Sequence, residues 1–244
     1  MAQHGKKYSG DLYGRVYGSN GGFVKMGNVG ALTTSRESET DELKSTGRDD
    51  YGEAIDSVVT PGVTEISISF NTFDKEGLAR ALMGKVAALD TQPQTLSDIA
   101  LTVEFGAWID IGSQDLDGGS ITLTDSHSSP IDKSTYTLNP RLGMLMFNSS
   151  SGLQSGEKIT LNGKTRGRAG FVIDANALQS MPMELKLDGK DRITNKDGVL
   201  WIPHTVLTSD ADIDWMSNDW WQNGLSGKLI KDSDKPTMRF TEYD

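Results

Sequence analysis

The chain has 244 residues, no cysteine and a formal net charge of −10. The lack of cysteine excludes disulfide frameworks and thiolate metal sites, and a chain of this length buries roughly 70% of its unfolded surface without such cross-links. The acidic balance disfavours proteins that grip nucleic acid through clustered lysine and arginine. We find neither a signal peptide nor a stretch of about eighteen apolar residues, so we expect a soluble protein with no membrane anchor.

Alternation of apolar and polar residues is the main pattern in the chain, and it predicts β-strands. The longest example spans residues 99–111, where the odd positions are apolar and Thr102, Glu104 and Asp110 lie on the opposite face. Thirteen residues is about twice the usual strand length, which favours an extended sheet over a small sandwich. About a dozen such runs predict an all-β protein. Strand-rich chains of this length often form one unit, so we expect a single domain over residues 29–230.

One segment, residues 74–83, predicts an α-helix. Asn71 or Thr72 can cap it, acidic residues occupy its first turn, and Gly84 ends it. Leu78 and Leu82 belong to a narrow apolar stripe that can pack on a sheet. The predicted fold is therefore a β-sandwich or barrel-forming sheet with one flanking α-helix.

Two segments show no sustained periodicity, an N-terminal arm at residues 1–28 and a polar loop at 36–57; a C-terminal arm at 231–244 contains a predicted strand at 237–241. Loops of some twenty residues are usually functional or disordered. The N-terminal arm is basic, with Lys6, Lys7, Arg15 and Lys25. The polar loop is acidic, and its charged residues include Glu37, Glu39, Asp41, Glu42, Lys44, Arg48, Asp49 and Asp50. Opposite charges on the two segments predict mutual pairing between copies, while the alternative is two solvated tails.

The order of features carries a resemblance. It comprises the strand sequence Val-Gly-Ala-Leu-Thr at 29–33, the polar loop, the strand sequence Ile-Ser-Ile-Ser-Phe at 66–70, and a helix with Leu-Ala-Arg-Ala-Leu-Met-Gly at 78–84. Weaker similarity continues through Tyr-Thr-Leu at 136–138 to the closing Met-Arg-Phe-Thr-Glu-Tyr at 238–243. In this order the chain resembles the tail tube (major tail) proteins of long, non-contractile-tailed phages. It is more distantly similar to type VI secretion and contractile-tail tube proteins.

The resemblance implies a structural protein of the virion tail, assembled in the host cytoplasm, with neither enzymatic activity nor a cofactor. It implies homohexameric rings that stack into a tube, with the loop 36–57 reaching the next ring. The implied partners are copies of the chain itself, a tape measure protein, a tail terminator and distal tail or baseplate proteins. DNA would pass through the tube without specific binding, and Thr102, Glu104 and Asp110 are candidates for the face toward that channel. Leu78 and Leu82 would pack the helix on the sheet.

Other patterns suggest chemistry only weakly. Residues 162–165 end like a phosphate-binding loop, but Lys158 stands where that motif needs glycine, so we predict a hairpin turn. Asp210, Asp212 and Asp214 could share a strand face and hold Ca²⁺, although a solvated edge is the simpler interpretation. A tryptophan cluster at 215–221 leaves open a carbohydrate-binding β-sandwich. We favour burial of these rings in the core or at an interface between subunits.

Overall fold

The computed structural model describes residues 5–148, 152–209 and 212–243. Over this part of the chain the fold is all-β with one α-helix, so the predicted fold class is confirmed. The chain divides into two compact units, whereas we expected a single domain. The first unit comprises Met1–Val86 and Ile173–Asp244, and the second is Ala87–Val172.

The elements are numbered in chain order. The helix α1 is Lys75–Ala81. The strands are β1 (Tyr8–Val16), β2 (Val24–Lys25), β3 (Val29–Lys44), β4 (Ala54–Phe70), β5 (Lys85–Thr91), β6 (Thr95–Thr102), β7 (Ile109–Asp110), β8 (Thr122–Thr124), β9 (Tyr136–Asn139), β10 (Met144–Phe147), β11 (Lys158–Lys164), β12 (Arg168–Asp174), β13 (Met181–Asp191), β14 (Asp197–Ser209), β15 (Asn223–Leu229) and β16 (Arg239–Glu242).

The first unit is built on an antiparallel sheet. Across the described residues its strand order is β2-β1-β13-β14-β15-β4-β3, and β16 also pairs with β14. Alternate side chains of these strands point to one face and form the core, among them Ile66, Ile68, Leu185 and Ile202. The opposite face is largely polar, so the sheet buries one side, as the alternation predicts.

The helix α1 is shorter than the predicted segment 74–83. Asp74 caps it, and not Asn71 or Thr72, because the Asp74 Oδ1 accepts a hydrogen bond from the Gly77 N–H at 2.6 Å. Leu78 and Leu82 are only half-buried, whereas Ala79, Ala81 and Met83 are fully buried. The packing of the helix therefore rests on the two small alanines and on Met83, which joins the core of the sheet.

The second unit has a core of its own. Within the described part of the chain it contains two three-stranded sheets, β7-β10-β9 and β6-β11-β8. Side chains from both sheets, including Leu101, Leu145, Phe147 and Leu161, form one buried cluster. This unit is therefore a small β-sandwich. The strands β5 and β12 pair where the chain passes from one unit to the other and returns.

Two segment predictions are wrong in their local structure, whereas the strand predicted at 237–241 is confirmed as β16. The N-terminal arm contains β1, which pairs with β13 over nine residues, and the C-terminal arm contains β16, which pairs with β14. The predicted strand at 99–111 ends at Thr102, Phe105 forms an isolated bridge with Phe147, and the next strand begins at Ile109. Its alternating burial nevertheless continues through Val103 and Ile111, which are both buried. Packing against the core preserves the alternation there without a continuous hydrogen-bonded ladder.

We predict that Ile68→Ala destabilises the first unit by about 2–5 kcal/mol, because Ile68 is 0% exposed and its loss leaves a cavity. Urea unfolding followed by tryptophan fluorescence measures this, since Trp201, Trp215, Trp220 and Trp221 all lie in the first unit. The matched control is Ile193→Ala, which truncates a side chain that is 53% exposed and should change stability by less than about 0.5 kcal/mol. Equal losses in the two variants would contradict the assigned core.

Candidate assembly surface

The segment predicted as a long loop is instead a β-hairpin. The strands β3 and β4 pair from Val29↔Phe70 out to Lys44↔Ala54. The neighbouring strand β15 accompanies β4 only from Phe70 to Glu65, so residues 36–64 form a two-stranded ribbon beyond the sheet. We call residues 36–64 the hairpin arm. The nine residues of β3 in this arm, at about 3.3 Å each, extend about 30 Å.

The hairpin arm is exposed on both faces. Apart from Ser45, Gly47 and Thr64, each of its residues is exposed. The arm nevertheless carries large apolar side chains, each more than half exposed: Leu43, Tyr51, Ile55, Val58, Val59 and Val63. A two-stranded ribbon is at best marginally stable alone in water, and exposed apolar side chains in one segment mark contact surfaces. The arm is therefore a candidate surface for contact with another chain.

Among the described residues, the hairpin arm keeps unpaired carboxylates after its cations have paired locally. Lys44 lies 3.7 Å from Glu42 and Arg48 lies 3.8 Å from Asp49, so two cations pair with their own neighbours. The Arg36 Nε donates to the Gly62 carbonyl oxygen at 3.0 Å. The remaining predicted contact residues, Glu37, Glu39, Asp41 and Asp50, are exposed. The arm thus presents carboxylates beside apolar side chains.

The tip of the arm is ordered by its own hydrogen bonds. Ser45 is buried, and its N–H donates to the Glu53 carbonyl oxygen at 2.8 Å. The Ser45 Oγ accepts from the Gly47 N–H at 3.0 Å. These bonds close residues 45–53 into a compact turn, so the arm is a defined element and not a structureless loop.

The sheet of the first unit ends in strands with unpaired edges. Among the described residues β3 is the last strand on one side, and β2 covers β1 only at Tyr13 and Gly14 on the other. Unpaired strand edges are templates for pairing with another chain. Near β3 the outward face of the sheet forms a groove of about 580 Å³, lined by small polar side chains such as Thr33 and Ser67 and by the apolar Val206 and Ile230.

The predicted cations of the N-terminal segment are mostly paired within the chain. Lys6 forms an ion pair with Glu242, and Lys25 lies 2.8 Å from Asp11. Arg15 lies 2.7 Å from Glu184. Lys7 is exposed, and its backbone N–H donates to Asp191. Three of the four cations therefore already have an acidic partner, which weakens the prediction that they pair with the acidic segment of another copy.

Arg15 and Glu184 form the most enclosed of these pairs. Glu184 is 8% exposed, and its carboxylate accepts hydrogen bonds from the Arg15 Nε and the Trp201 Nε1, both at 2.8 Å. Burial raises the pKa of Glu184, but the hydrogen bonds from Trp201 and Arg15 outweigh burial and hold that pKa below its ordinary value. The pair ties β1 to the centre of the sheet. Sequence reasoning missed this role because Glu184 lies far from Arg15 along the chain.

The candidate channel residues all lie in the second unit. Thr102 ends β6, Glu104 follows outside a strand, and Asp110 lies in β7; all three are exposed. The Asp110 Oδ1 accepts from the Gly112 N–H at 2.8 Å. Their exposure agrees with the predicted alternation, and their position facing a channel stays a prediction.

The tryptophan cluster does not join the core. Trp215 is 58% exposed, Trp220 and the neighbouring Met216 are each 91% exposed, and Trp221 is half-buried. Trp221 contacts Trp215 edge to face at a centroid distance of 5.2 Å, and contacts Phe73 at 6.2 Å. The prediction that these rings are buried in the core is therefore wrong for Trp215 and Trp220. Their exposed rings form a surface that another molecule could contact.

The weaker chemical motifs are not assembled into sites. Residues 162–164 lie within β11, which has a bulge between Leu161 and Gly163, so the segment is neither a phosphate loop nor the predicted hairpin turn. Asp210 lies outside the described residues, whereas Asp212 and Asp214 are exposed. No metal-ligand cluster occurs in the described part of the chain. The single α-helix of residues 5–148, 152–209 and 212–243 is too short to reach across a bilayer.

We predict that Arg15→Gln destabilises the first unit by about 2 kcal/mol at pH 7, because it leaves Glu184 buried without its cation. The matched control is Lys25→Gln at a solvent-exposed pair, for which we expect no resolvable change in the urea midpoint. Since the folded pKa of Glu184 is lowered, its contribution is complete above the unfolded pKa and is lost as the pH falls through the folded pKa. Urea unfolding at several pH values should therefore show the Arg15→Gln deficit shrinking in acid. A deficit that does not change with pH would contradict this assignment.

Comparison with known proteins identifies a family whose description states no activity. No curated protein matches the chain. One family model matches residues 7–242, which is nearly the whole chain and covers both units. The chain belongs to the family described as "Protein of unknown function UCP028589".

Proposed function

We propose that this protein is the tube subunit of a long, non-contractile phage tail, a structural protein that assembles with copies of itself into stacked six-membered rings. The hairpin arm is the observation that carries the proposal. It extends about 30 Å past its last pairing with β15 and exposes Leu43, Val58 and Val59, side chains that a self-contained monomer would bury or replace.

The unpaired edges of the sheet support the same proposal. The edge of β3 and the partly covered edge of β1 bound the same sheet on opposite sides. Pairing the edge of one copy with the edge of the next would continue the sheet around a ring and remove both exposed edges. Lateral edge pairing would build the ring, and the arm would connect one ring to another.

The polar face of the sheet suits the wall of a DNA channel. Thr33, Ser35, Ser67, Thr208 and Ser226 line its groove with small hydroxyl side chains, and Glu65 stands opposite Lys228 there. Among the described residues that line this groove, Lys228 is the one cation, so DNA could pass there without being retained. Under this proposal the channel wall is the polar face of the first unit, and the earlier candidates Thr102, Glu104 and Asp110 are a second possibility. The tape measure protein, tail terminator and distal tail proteins remain proposed partners.

We predict that shortening the arm separates folding from assembly. Replacing residues 39–60 by Asn-Gly joins Ser38 to Pro61, which face each other in the register, through a tight turn. The core lies outside the arm, so we expect a folded protein with the urea midpoint of the wild type. Negative-stain microscopy and sedimentation of concentrated protein should show tubes for the wild type and at most separate rings for the shortened chain. Tubes of normal length from the shortened chain would remove the arm from the proposal.

A carbohydrate-binding β-sandwich is the second candidate, because Trp215 and Trp220 are exposed beside Asp212 and Asp214. Indole rings flanked by carboxylates can stack on sugars and accept hydrogen bonds from their hydroxyl groups. The tube proposal expects no glycan binding on an array. Retention of a glycan by the wild type, lost in Trp220→Ala but kept in the control Trp108→Ala of the second unit, would favour this candidate.

A further inference from the structure

A second concave surface of the first unit is apolar. It is a groove of about 330 Å³ between α1 and the start of β13, lined by Val16, Ala79, Val86, Leu178, Met181 and Met183. Arg80 and Glu76 are the charged side chains that line it. An apolar surface that includes a largely enclosed cation suits an apolar partner that also carries a carboxylate.

Arg80 is enclosed, and its one ion pair among the described residues is a long one. Its side chain is 20% exposed, and the nearest carboxylate oxygen, the Asp74 Oδ1, is 4.0 Å away. That oxygen already accepts the Gly77 N–H at the cap of α1. Burial lowers the pKa of the Arg80 guanidinium, with Asp74 and Glu76 acting in the opposite direction. A guanidinium in this position gains from a second, well-placed carboxylate.

One face of the hairpin arm has the complementary chemistry. Asp41 stands opposite Val58 and Leu43 stands opposite Asp56 in the register, so these four side chains share one face of the ribbon. Leu43 and Val58 are 62% and 64% exposed. The face therefore offers two apolar side chains between two carboxylates.

The arm and the groove are separated across the width of the same sheet. The arm leaves at Glu65, the first residue of β4 that pairs with β15, whereas α1 follows Phe70. Met181, in the groove, pairs with Leu207, and two strands, β14 and β15, lie between its strand and β4. Because the arm extends about 30 Å past its last pairing with β15, a chain cannot fill its own groove.

We propose that the groove beside Arg80 receives the arm of a second copy, with Leu43 and Val58 on its apolar wall and Asp41 or Asp56 paired with Arg80. The proposal rests on the tube function and specifies its contact from ring to ring. Each copy then offers an arm and a separate groove, so that the contact repeats head to tail.

Disulfide trapping tests this contact in the full chain, which has no cysteine of its own. Val58→Cys places a thiol on the arm, and Val16→Cys places one at the rim of the groove, where Val16 is 60% exposed. The two variants are mixed, assembled and mildly oxidised, and linked dimers are counted on non-reducing gels. The control partner is Leu142→Cys in the second unit, at a side chain that is 48% exposed. We expect Val58→Cys to link to Val16→Cys and not to Leu142→Cys.

Adding Arg80→Glu to the Val16→Cys variant should lower the linked fraction about tenfold or more, because it sets like charges together, and Arg80→Lys should keep most of it. Tubes in which Val58→Cys links no better to Val16→Cys than to Leu142→Cys would overturn the groove and leave the tube function standing. Failure of the wild type to form any polymer would overturn the tube function itself. Should Arg80→Glu fail to fold, the thiol pair alone still decides the question.

Discussion

The pairing of β13 with β14 is the interaction on which the first unit depends. Their register runs from Met181↔Leu207 to Lys190↔Asp197, and the other strands of the sheet attach to one side or the other of this pair. The strand β1 lies along β13, while β15 and β16 share the far edge of β14. The same pairing places side chains of the core, because Leu185 and Ile202 face each other across the two strands and are almost fully buried. A sheet built outward in this way ends in unpaired edges unless another chain covers them.

Alternation predicted burial better than it predicted hydrogen bonding. It correctly assigned Ile66, Ile68 and Phe70 to the core, and the odd positions from Ile99 to Ile111 to one inner face. It could not show that the ladder breaks after Thr102, since packing alone keeps a side chain pointing inward. The strand β1 was hidden for another reason. Gly10 lies against Gly189 and the Asp188 carbonyl so closely that a Cβ has no room there, and glycine weakens any sequence signal for a strand.

The hairpin arm was mistaken for a loop because strand signals in a sequence depend on a buried face. The arm has no buried face within its own chain, so its acidic residues show no alternation. The run Val58-Val59-Thr60, which is rich in β-branched side chains, was the signal that could have identified a strand. The sequence singled out this segment but did not predict that it forms a hairpin, and its role in assembly stays a prediction. The sequence also predicted that the basic N-terminal segment pairs with the acidic segment of another copy. It could not reveal ion pairs within the chain, such as Arg15 with Glu184, because these residues are distant in sequence.

The candidate assembly surfaces all lie in one of the two units. The arm, the unpaired edges and the groove beside Arg80 all belong to the first unit. The second unit closes its own core between two small sheets, and the chain leaves and returns through the paired strands β5 and β12, so this insertion does not interrupt the larger sheet. An element with its own core can vary in sequence without changing the assembly surfaces. Under the proposed function, those surfaces would have to match copies of themselves, and an arm and a separate groove on one subunit would form a contact that repeats without closing. Growth of the proposed polymer would have no limit set by the subunit, so the length of the proposed tube would have to be set by another component.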